Sequence, residues 1–334
     1  MKKIRFGILS TAKIGRTKVI PGIQHSEHCR VDAISSRTME SARAAADALS
    51  IPKAYDSYEA LLADPDIDAV YVPLPNHLHV PWAIKALEAG KHVLCEKPIG
   101  LNTGEANELI NAEGRHPDLK IMEAFMYRHY PQWVEAKRLV DAGEIGELKT
   151  IQSFFSYYNA DPNNIRNKAD IGGGAMMDIG CYNISLSRFI FDGEPSRAVG
   201  FIDRDPDFGT DRLFSGMLDF KGKVSSFTCA TQLADYQRVN IFGTTGRIEI
   251  LIPFNAPPDR PCALILQQDN APEDEQLRTI TFDTCDQYSV QADLFAQAII
   301  SDTRVPVTLN DAYANMQTLE RLIKSAEDNA WVRC

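Results

Sequence analysis

The chain has 334 residues, of which 44% are hydrophobic and 24% charged. That length suits about two domains, and the composition is that of ordinary globular proteins, which excludes disordered, collagen-like and coiled-coil chains. A net charge of −10 argues against a nucleic-acid backbone as partner, although it leaves room for a local basic pocket holding a small phosphate. No stretch reaches the ~20 apolar residues of a membrane span, and the apolar run near the N-terminus meets Lys13 and Arg16 too soon for a signal peptide. The seven cysteines are odd in number and scattered, so they read as reduced thiols of a cytoplasmic protein.

The first part of the chain alternates strand and helix patterns. Strands are predicted over 3–9, 30–36, 68–73, 92–95 and 120–124. Helices are predicted over 13–24, 41–49, 81–89 and 104–113. Continuous apolar strands separated by helices imply a doubly wound parallel sheet with a ligand crevice at the carboxyl ends of its strands. After Tyr130 the texture changes. A helix over 133–142 is followed by strand-like runs over 149–158, 196–201, 213–220, 224–231, 237–242 and 247–252, joined by short turns. They predict an open, mostly antiparallel sheet, interrupted by one helix over 175–191. The segment 255–275, rich in Pro, Asp and Gln, reads as a surface excursion. A last helix is predicted over 311–329, with Thr308 or Asn310 as its cap. The expected division is a dinucleotide-binding domain over 1–123 and a substrate-binding and oligomerisation domain over 124–334, with a last helix able to pack back on the first domain.

The first strand ends in Gly7-Ile8-Leu9-Ser10-Thr11-Ala12-Lys13-Ile14-Gly15. In the G-x-G-x-x-G pattern of dinucleotide sites, the three slots here hold Ser10, Ala12 and Gly15. Ala12 still permits close backbone approach, Ser10 and Thr11 offer hydroxyls, and the helix N-terminus behind Lys13 and Ile14 favours an anion. Beyond the second strand stands Ser35-Ser36-Arg37, where NAD sites usually carry a carboxylate for the ribose. Hydroxyl and guanidinium suit a 2′-phosphate, so Ser36 and Arg37 point to NADP, with NAD possible; Arg43 is a weaker second candidate. Two further strand ends, Leu74-Pro75-Asn76-His77-Leu78-His79 and Cys95-Glu96-Lys97-Pro98, lie toward the crevice. They nominate Leu74, Asn76, His77, His79, Glu96 and Lys97 as cofactor contacts. No Cys/His cluster with ligand spacing accompanies the histidines, so no metal is expected.

At these residues the chain resembles the glucose–fructose oxidoreductase / inositol dehydrogenase (Gfo/Idh/MocA) family. The resemblance rests on Glu96-Lys97-Pro98, on Gly172-Gly173-Gly174-Ala175-Met176-Met177-Asp178-Ile179-Gly180-Cys181-Tyr182, on the opening strand and turn, and on Glu123-Ala124-Phe125-Met126-Tyr127-Arg128. It covers essentially the whole chain. It implies a Rossmann domain, a second domain whose sheet makes a homodimer or homotetramer contact, and hydride transfer between NAD(P) and a sugar or cyclic polyol.

Asp178 and Tyr182 are four apart on a predicted helix and so share a face. Many relatives carry His where this chain has Tyr182, and no histidine follows residue 129 here. The Tyr variant looks like the branch of dimeric dihydrodiol dehydrogenases and NADP-linked xylose dehydrogenases. Free Tyr has a pKa near 10, and a nearby cation favours the phenolate, a role expected of Lys97. Tyr182 would be the base in oxidation and the acid in reduction, with Asp178 orienting substrate or Lys97. Tyr127, Arg128 and Arg166 are candidate substrate residues. Tyr157 and Tyr158 can pave a sugar face or fill the sheet, and residues 163–166 can form a lid. The expected activity is an NADP-dependent aldose 1-dehydrogenase of xylose or glucose type. The alternatives are a keto-sugar or dicarbonyl reductase or dihydrodiol dehydrogenase, and, in another class, a non-catalytic NADP-binding sensor.

Overall fold

In the computed structural model, residues 3–334 are described. The chain divides into two compact units, Met1–Met126 with Asp286–Tyr313, and Tyr127–Cys285 with Ala314–Cys334.

The first unit begins with β1 (Ile4–Leu9), then a helical stretch that starts with a π-helical turn (Gly15–Val19) and continues as α1 (Ile20–His25). It proceeds through β2 (Cys29–Ser35), α2 (Met39–Ala48), β3 (Lys53–Tyr55), α3 (Tyr58–Leu62), β4 (Ala69–Val72), α4 (His79–Glu88), β5 (His92–Cys95), α5 (Thr103–Arg115) and β6 (Ile121–Glu123). The six strands are parallel in the order β3-β2-β1-β4-β5-β6. Strands covered by helices on both faces are apolar throughout, and β4 is buried at every position. Helix starts obey local chemistry: Thr38, Ser57 and Asn102 accept the backbone N–H three residues on and cap α2, α3 and α5. The strand order reverses between β1 and β4, and there the ligand crevice of such a sheet opens.

The second unit begins with α6 (Pro131–Asp141) and β7 (Leu148–Tyr158). A π-helical turn (Met176–Gly180) then runs into α7 (Cys181–Phe191). Next come β8 (Arg197–Arg204), β9 (Asp211–Phe220), β10 (Lys223–Ala230), β11 (Gln232–Gly243), β12 (Gly246–Ile250), β13 (Cys262–Gln268) and β14 (Leu277–Phe282). A nine-stranded sheet is ordered β14-β13-β12-β11-β7-β10-β9-β8-β15, β15 being the C-terminal pair Val332–Arg333. All its pairings are antiparallel except β7 with β10. One face carries α7: Ile151 and Phe155 of β7, Phe227 and Cys229 of β10 and Ile241 of β11 are buried.

Two stretches differ from the expectation. The segment 255–275 is not a simple excursion, because it contains β13, whose Cys262, Leu264 and Leu266 alternate into the core. The helix α8 (Gln287–Ile300) belongs to the first unit and is absent from the predicted elements. It packs on α1 where a side chain at Gly22 would meet Tyr288 Cβ at 2.5 Å. Ser289 donates to the Gly22 carbonyl at 2.8 Å and Ser26 donates to Asp293 at 2.5 Å. The helix α9 (Leu309–Asp328) starts in the first unit and continues in the second. The Thr308 hydroxyl accepts from Asp311 N–H at 3.3 Å, as a cap should. Among the described residues, no helix is long and apolar enough to cross a membrane.

Candidate active site

In the first unit, the loops after β1, β4 and β5 meet at the carboxyl edge of the sheet. Ser10 has φ +133°, a conformation glycine adopts more easily, in the slot where dinucleotide sites usually hold glycine. Its hydroxyl accepts from Ala12 N–H at 3.2 Å and donates to the Pro73 carbonyl at 3.3 Å, tying the β1 and β4 loops together. Thr11 and Ala12 are half-buried, and Lys13 and Ile14 are exposed. The first N–H groups of the helical stretch have no carbonyl four residues back to bond. Gly15 is less critical than the fingerprint suggests: a Cβ there would stand 3.7 Å from Pro73 and Tyr71, ordinary contact.

At the end of β2, Ser35 donates to the Ile8 carbonyl at 3.0 Å and Ser36 is buried, while Arg37 is exposed beside the cap of α2. Burial raises the Tyr58 hydroxyl above its ordinary pKa and the Arg37 charge opposes the rise, so the guanidinium sits near that ring. After β4, Asn76 and His77 lie half-buried in a 3-10 turn (Asn76–Leu78) and Leu74 is buried. His79 differs from the expectation. It is buried, with Nδ1 2.8 Å from the Pro98 carbonyl and Nε2 2.7 Å from the Leu74 carbonyl. Burial pushes it down to about 4, against the two carbonyls, which favour the charged ring. Its ring braces the β4 and β5 loops and has no nitrogen to spare for a cofactor. Glu96 is likewise engaged: Tyr71 donates to Oε1 at 2.5 Å, and the Lys97 N–H donates to Oε2 at 3.3 Å. The carboxylate thereby shapes the turn that presents Lys97, which is followed by a cis bond to Pro98.

These residues fit a nicotinamide dinucleotide. The turn carries only small side chains at residues 10–12, the N-terminus of the helical stretch behind it favours an anion, and the exposed Arg37 stands two residues beyond β2.

In the second unit, Asp178 lies in the π-helical turn and Tyr182 in the first turn of α7. The Asp178 Oδ2 accepts from Arg166 Nε at 2.8 Å and from the Tyr157 hydroxyl at 2.6 Å. Asp178, more than any other group, holds Arg166 in its charged form, and Tyr182 adds to that field. Burial and then Asp178 push the Tyr157 hydroxyl well above its ordinary pKa. Tyr182 itself is 6% exposed, set against the rings of Phe254 (5.3 Å), Tyr127 (5.6 Å) and Phe155 (5.9 Å).

Several substrate candidates change place. Tyr127 is fully buried, and its hydroxyl donates to Ser185 at 2.8 Å, so its ring backs Tyr182. Arg128 lies 4.9 Å over the Phe189 ring. Residues 163–166 are fastened, since the Gly174 N–H donates to the Arg166 carbonyl and the Gly173 N–H to that of Lys168, at 2.8 and 2.9 Å. The glycine run therefore presses against protein: a side chain at Gly173 would meet the Arg166 carbonyl at 2.6 Å. Tyr158 is exposed, whereas Tyr157 belongs to the Asp178 network. Ser185 and Phe254 carry no sequence signal for a place in this site. Among the described residues, no group of three or more His, Cys, Asp or Glu is disposed to hold a metal ion.

Residues 4–124 match the oxidoreductase family with an NAD-binding Rossmann fold, and residues 133–249 match the GFO/IDH/MocA C-terminal domain. The chain belongs to the Gfo/Idh/MocA family. It is 45% identical to the "uncharacterized oxidoreductase ORF334" of Rhizobium meliloti, over 99% of both chains. It is 38% identical to the D-xylose 1-dehydrogenase (NADP(+)) 2 of Haloferax volcanii, over 98% of both. Among solved structures it is similar to KijD10, a 3-ketoreductase from Actinomadura kijaniata in complex with NADP and TDP-benzene. That likeness has a TM-score of 0.88 at 28% identity and covers 97% of this chain and 98% of the other. As a Gfo/Idh/MocA member the protein is an NAD(P)-dependent oxidoreductase: its parallel sheet is the Rossmann domain, and its C-terminal domain is built on the mostly antiparallel sheet.

Proposed function

We propose that this Gfo/Idh/MocA protein is an NADP-dependent aldose 1-dehydrogenase of the xylose or glucose type. The observation that carries the reading is Tyr182, a nearly buried tyrosine one turn beyond Asp178, whose carboxylate is already held by Arg166 and Tyr157. Such a pair suits proton exchange with a neutral sugar hydroxyl. The Arg166 cation is committed to Asp178 and Arg128 is stacked on Phe189, so an uncharged pyranose is favoured over a sugar phosphate. The xylose dehydrogenase relative supports the same class.

Held by the cofactor residues, NADP would supply the acceptor for the hydride of the carbinol carbon. In oxidation Tyr182 takes the proton of the C1 hydroxyl; in reduction it returns a proton to the carbonyl oxygen. Lys97 is assigned the cation that favours the phenolate. Asp178, fixed by its two partners, orients the substrate. In the cofactor site Ser10, Thr11, Ala12, Lys13 and Ile14 are assigned to the pyrophosphate, Ser36 and Arg37 to the 2′-phosphate, and Leu74, Asn76 and His77 to the nicotinamide end; Glu96 and His79 support these loops. The reading includes a cytoplasmic setting, in keeping with seven free thiols. It also includes assembly as a homodimer or homotetramer through the open face of the nine-stranded sheet, where Phe201 and Met217 are exposed.

The test follows absorbance at 340 nm with NADP or NAD and a set of aldoses and diols, and with NADPH and keto-sugars in reverse. Turnover of an aldose with NADP at least tenfold above the other pairs is expected. A second reading, keto-sugar reduction, is supported by the likeness to the 3-ketoreductase; turnover confined to the reverse assay would establish it. Silence in both directions with tight NADPH binding would instead make the protein a sensor.

Arg37 supplies a separate prediction. Because this arginine is exposed, Arg37→Ala is expected to raise the Kd for NADPH by about tenfold, the lower range for a hydrogen bond to a charged group, with the Kd for NADH within twofold of wild type. Fluorescence titration measures both. Equal weakening of the two cofactors would remove Arg37 from the 2′-phosphate site.

A further inference from the structure

We propose that Asp211 is a positioning residue for the reaction, its carboxylate anchoring the start of the helical stretch that carries Asp178 and Tyr182, in a seat left by the missing side chain of Gly174. The inference rests on the reading of Tyr182 and Asp178 given above. Asp211 opens β9, and its Oδ2 accepts from the Met176 N–H at 2.6 Å. Gly174 has φ +113°, and a Cβ built there would fall 1.9 Å from Asp211 Oδ1. The glycine is required by backbone conformation and by this carboxylate.

The seat leads directly to the reacting groups. The Gly174 carbonyl accepts from the Asp178 N–H at 3.1 Å, and the Gly174 N–H donates to the Arg166 carbonyl at 2.8 Å. One residue therefore locates both partners of the Asp178–Arg166 ion pair, and Asp211 locates that residue. Tyr182 follows one turn later. A negative charge at a helix N-terminus is also favoured by the helix dipole.

Burial pushes Asp211 up to about 6, against the N–H groups of Met176, Ala175 and Asp211 itself and the charge of Arg204 on β8. Cys229 on β10 also faces it, its thiol raised well above the ordinary value chiefly by burial. Because burial disfavours the anion, Asp211 loses its charge in mildly acidic solution and the anchor weakens. No histidine follows residue 129, and burial holds His129 down to about 4. A fall in turnover near pH 6 therefore has no histidine of the second unit as its source.

The experiment compares Asp211→Asn and Asp211→Ala with wild type in the 340 nm assay between pH 5 and 9. NADPH affinity is measured alongside, together with amide hydrogen exchange of the peptide covering residues 174–182. For Asp211→Ala, kcat is expected to fall by about tenfold to a hundredfold, the scale of a small misplacement. Its NADPH Kd should stay within twofold and its peptide should exchange faster. Asp211→Asn keeps an oxygen acceptor for Met176; at pH 8 its kcat should stay within about fivefold, and the acidic limb near pH 6 should be lost. An Asp211→Ala kcat within twofold of wild type, or an unchanged acidic limb in Asp211→Asn, overturns the proposal. Should Asp211→Ala fail to fold, the Asn variant decides. Should no sugar be turned over, the aldose reading fails separately, and hydrogen exchange decides the anchor: exchange of 174–182 in wild type, corrected for intrinsic rate, must rise below pH 6 and lose that dependence in Asp211→Asn.

Discussion

Replacing Tyr182 with Phe should lower turnover by about two to four orders of magnitude, the usual contribution of a positioned acid or base, and leave NADPH affinity unchanged. The substitution removes one oxygen and keeps the ring. Contacts with Phe254, Tyr127 and Phe155 survive, as does the hydrogen bond of Tyr127 to Ser185 behind it, so the local packing is preserved. The cofactor residues assigned above lie on the first unit, and none is altered. Measured kcat, NADPH titration and thermal melting together separate loss of a proton donor from loss of structure. Turnover within a few-fold of wild type would end the assignment of Tyr182.

Phe254→Ala should destabilise the second unit by about 3–5 kcal/mol, the range for emptying a buried aromatic site. Phe254 is fully buried, with its ring 4.7 Å from Phe155, 5.3 Å from Tyr182, 5.7 Å from Tyr127 and 6.5 Å from Trp133. Its segment is fixed through the backbone: Trp133 Nε1 donates to the Pro253 carbonyl at 2.6 Å, and the Phe254 N–H donates to Gln237 Oε1 at 3.0 Å. The loop is thus held while its filler is removed, and the site cannot collapse to close the void. Urea unfolding followed by Trp fluorescence, which includes Trp133, reads the loss. Turnover should fall as well, because Tyr182 loses one wall. A stability change below about 1 kcal/mol would show that the ring cluster contributes little.

The parallel sheet was legible because strands such as Ala69–Val72 are buried on both faces and so are apolar at every position. The pairing of Asp178 with Tyr182 was legible from helical spacing, and the π-helical turn beneath Asp178 leaves both in the same network. What escaped had polar residues in buried places. The helix α8 covers part of its neighbours with Gln287 and Gln291, both nearly inaccessible, so its inner face does not read as apolar. The strand β13 is flanked by Pro and Asp, which masks its short alternation. Tyr127 and Arg128 were placed at the crevice because they follow β6. The chain instead makes a 3-10 turn at Met126–His129, and Tyr127 ends among the rings. Arg166 and Tyr157 are legible as site candidates, but their bonds to Asp178 and that of Asp211 to the Met176 N–H join separate elements, and no local pattern announces them.

The return of α8 to the first unit bears on how the protein is made. The Rossmann strands are synthesised before α8, yet the outer layer of their sheet at Gly22 and Phe6 is closed by Tyr288 and Phe295. At about 5–20 residues per second, those residues emerge roughly ten to thirty seconds after β6. Through that interval the nascent cofactor half keeps an apolar surface uncovered, and its folding is completed only when α8 has been made.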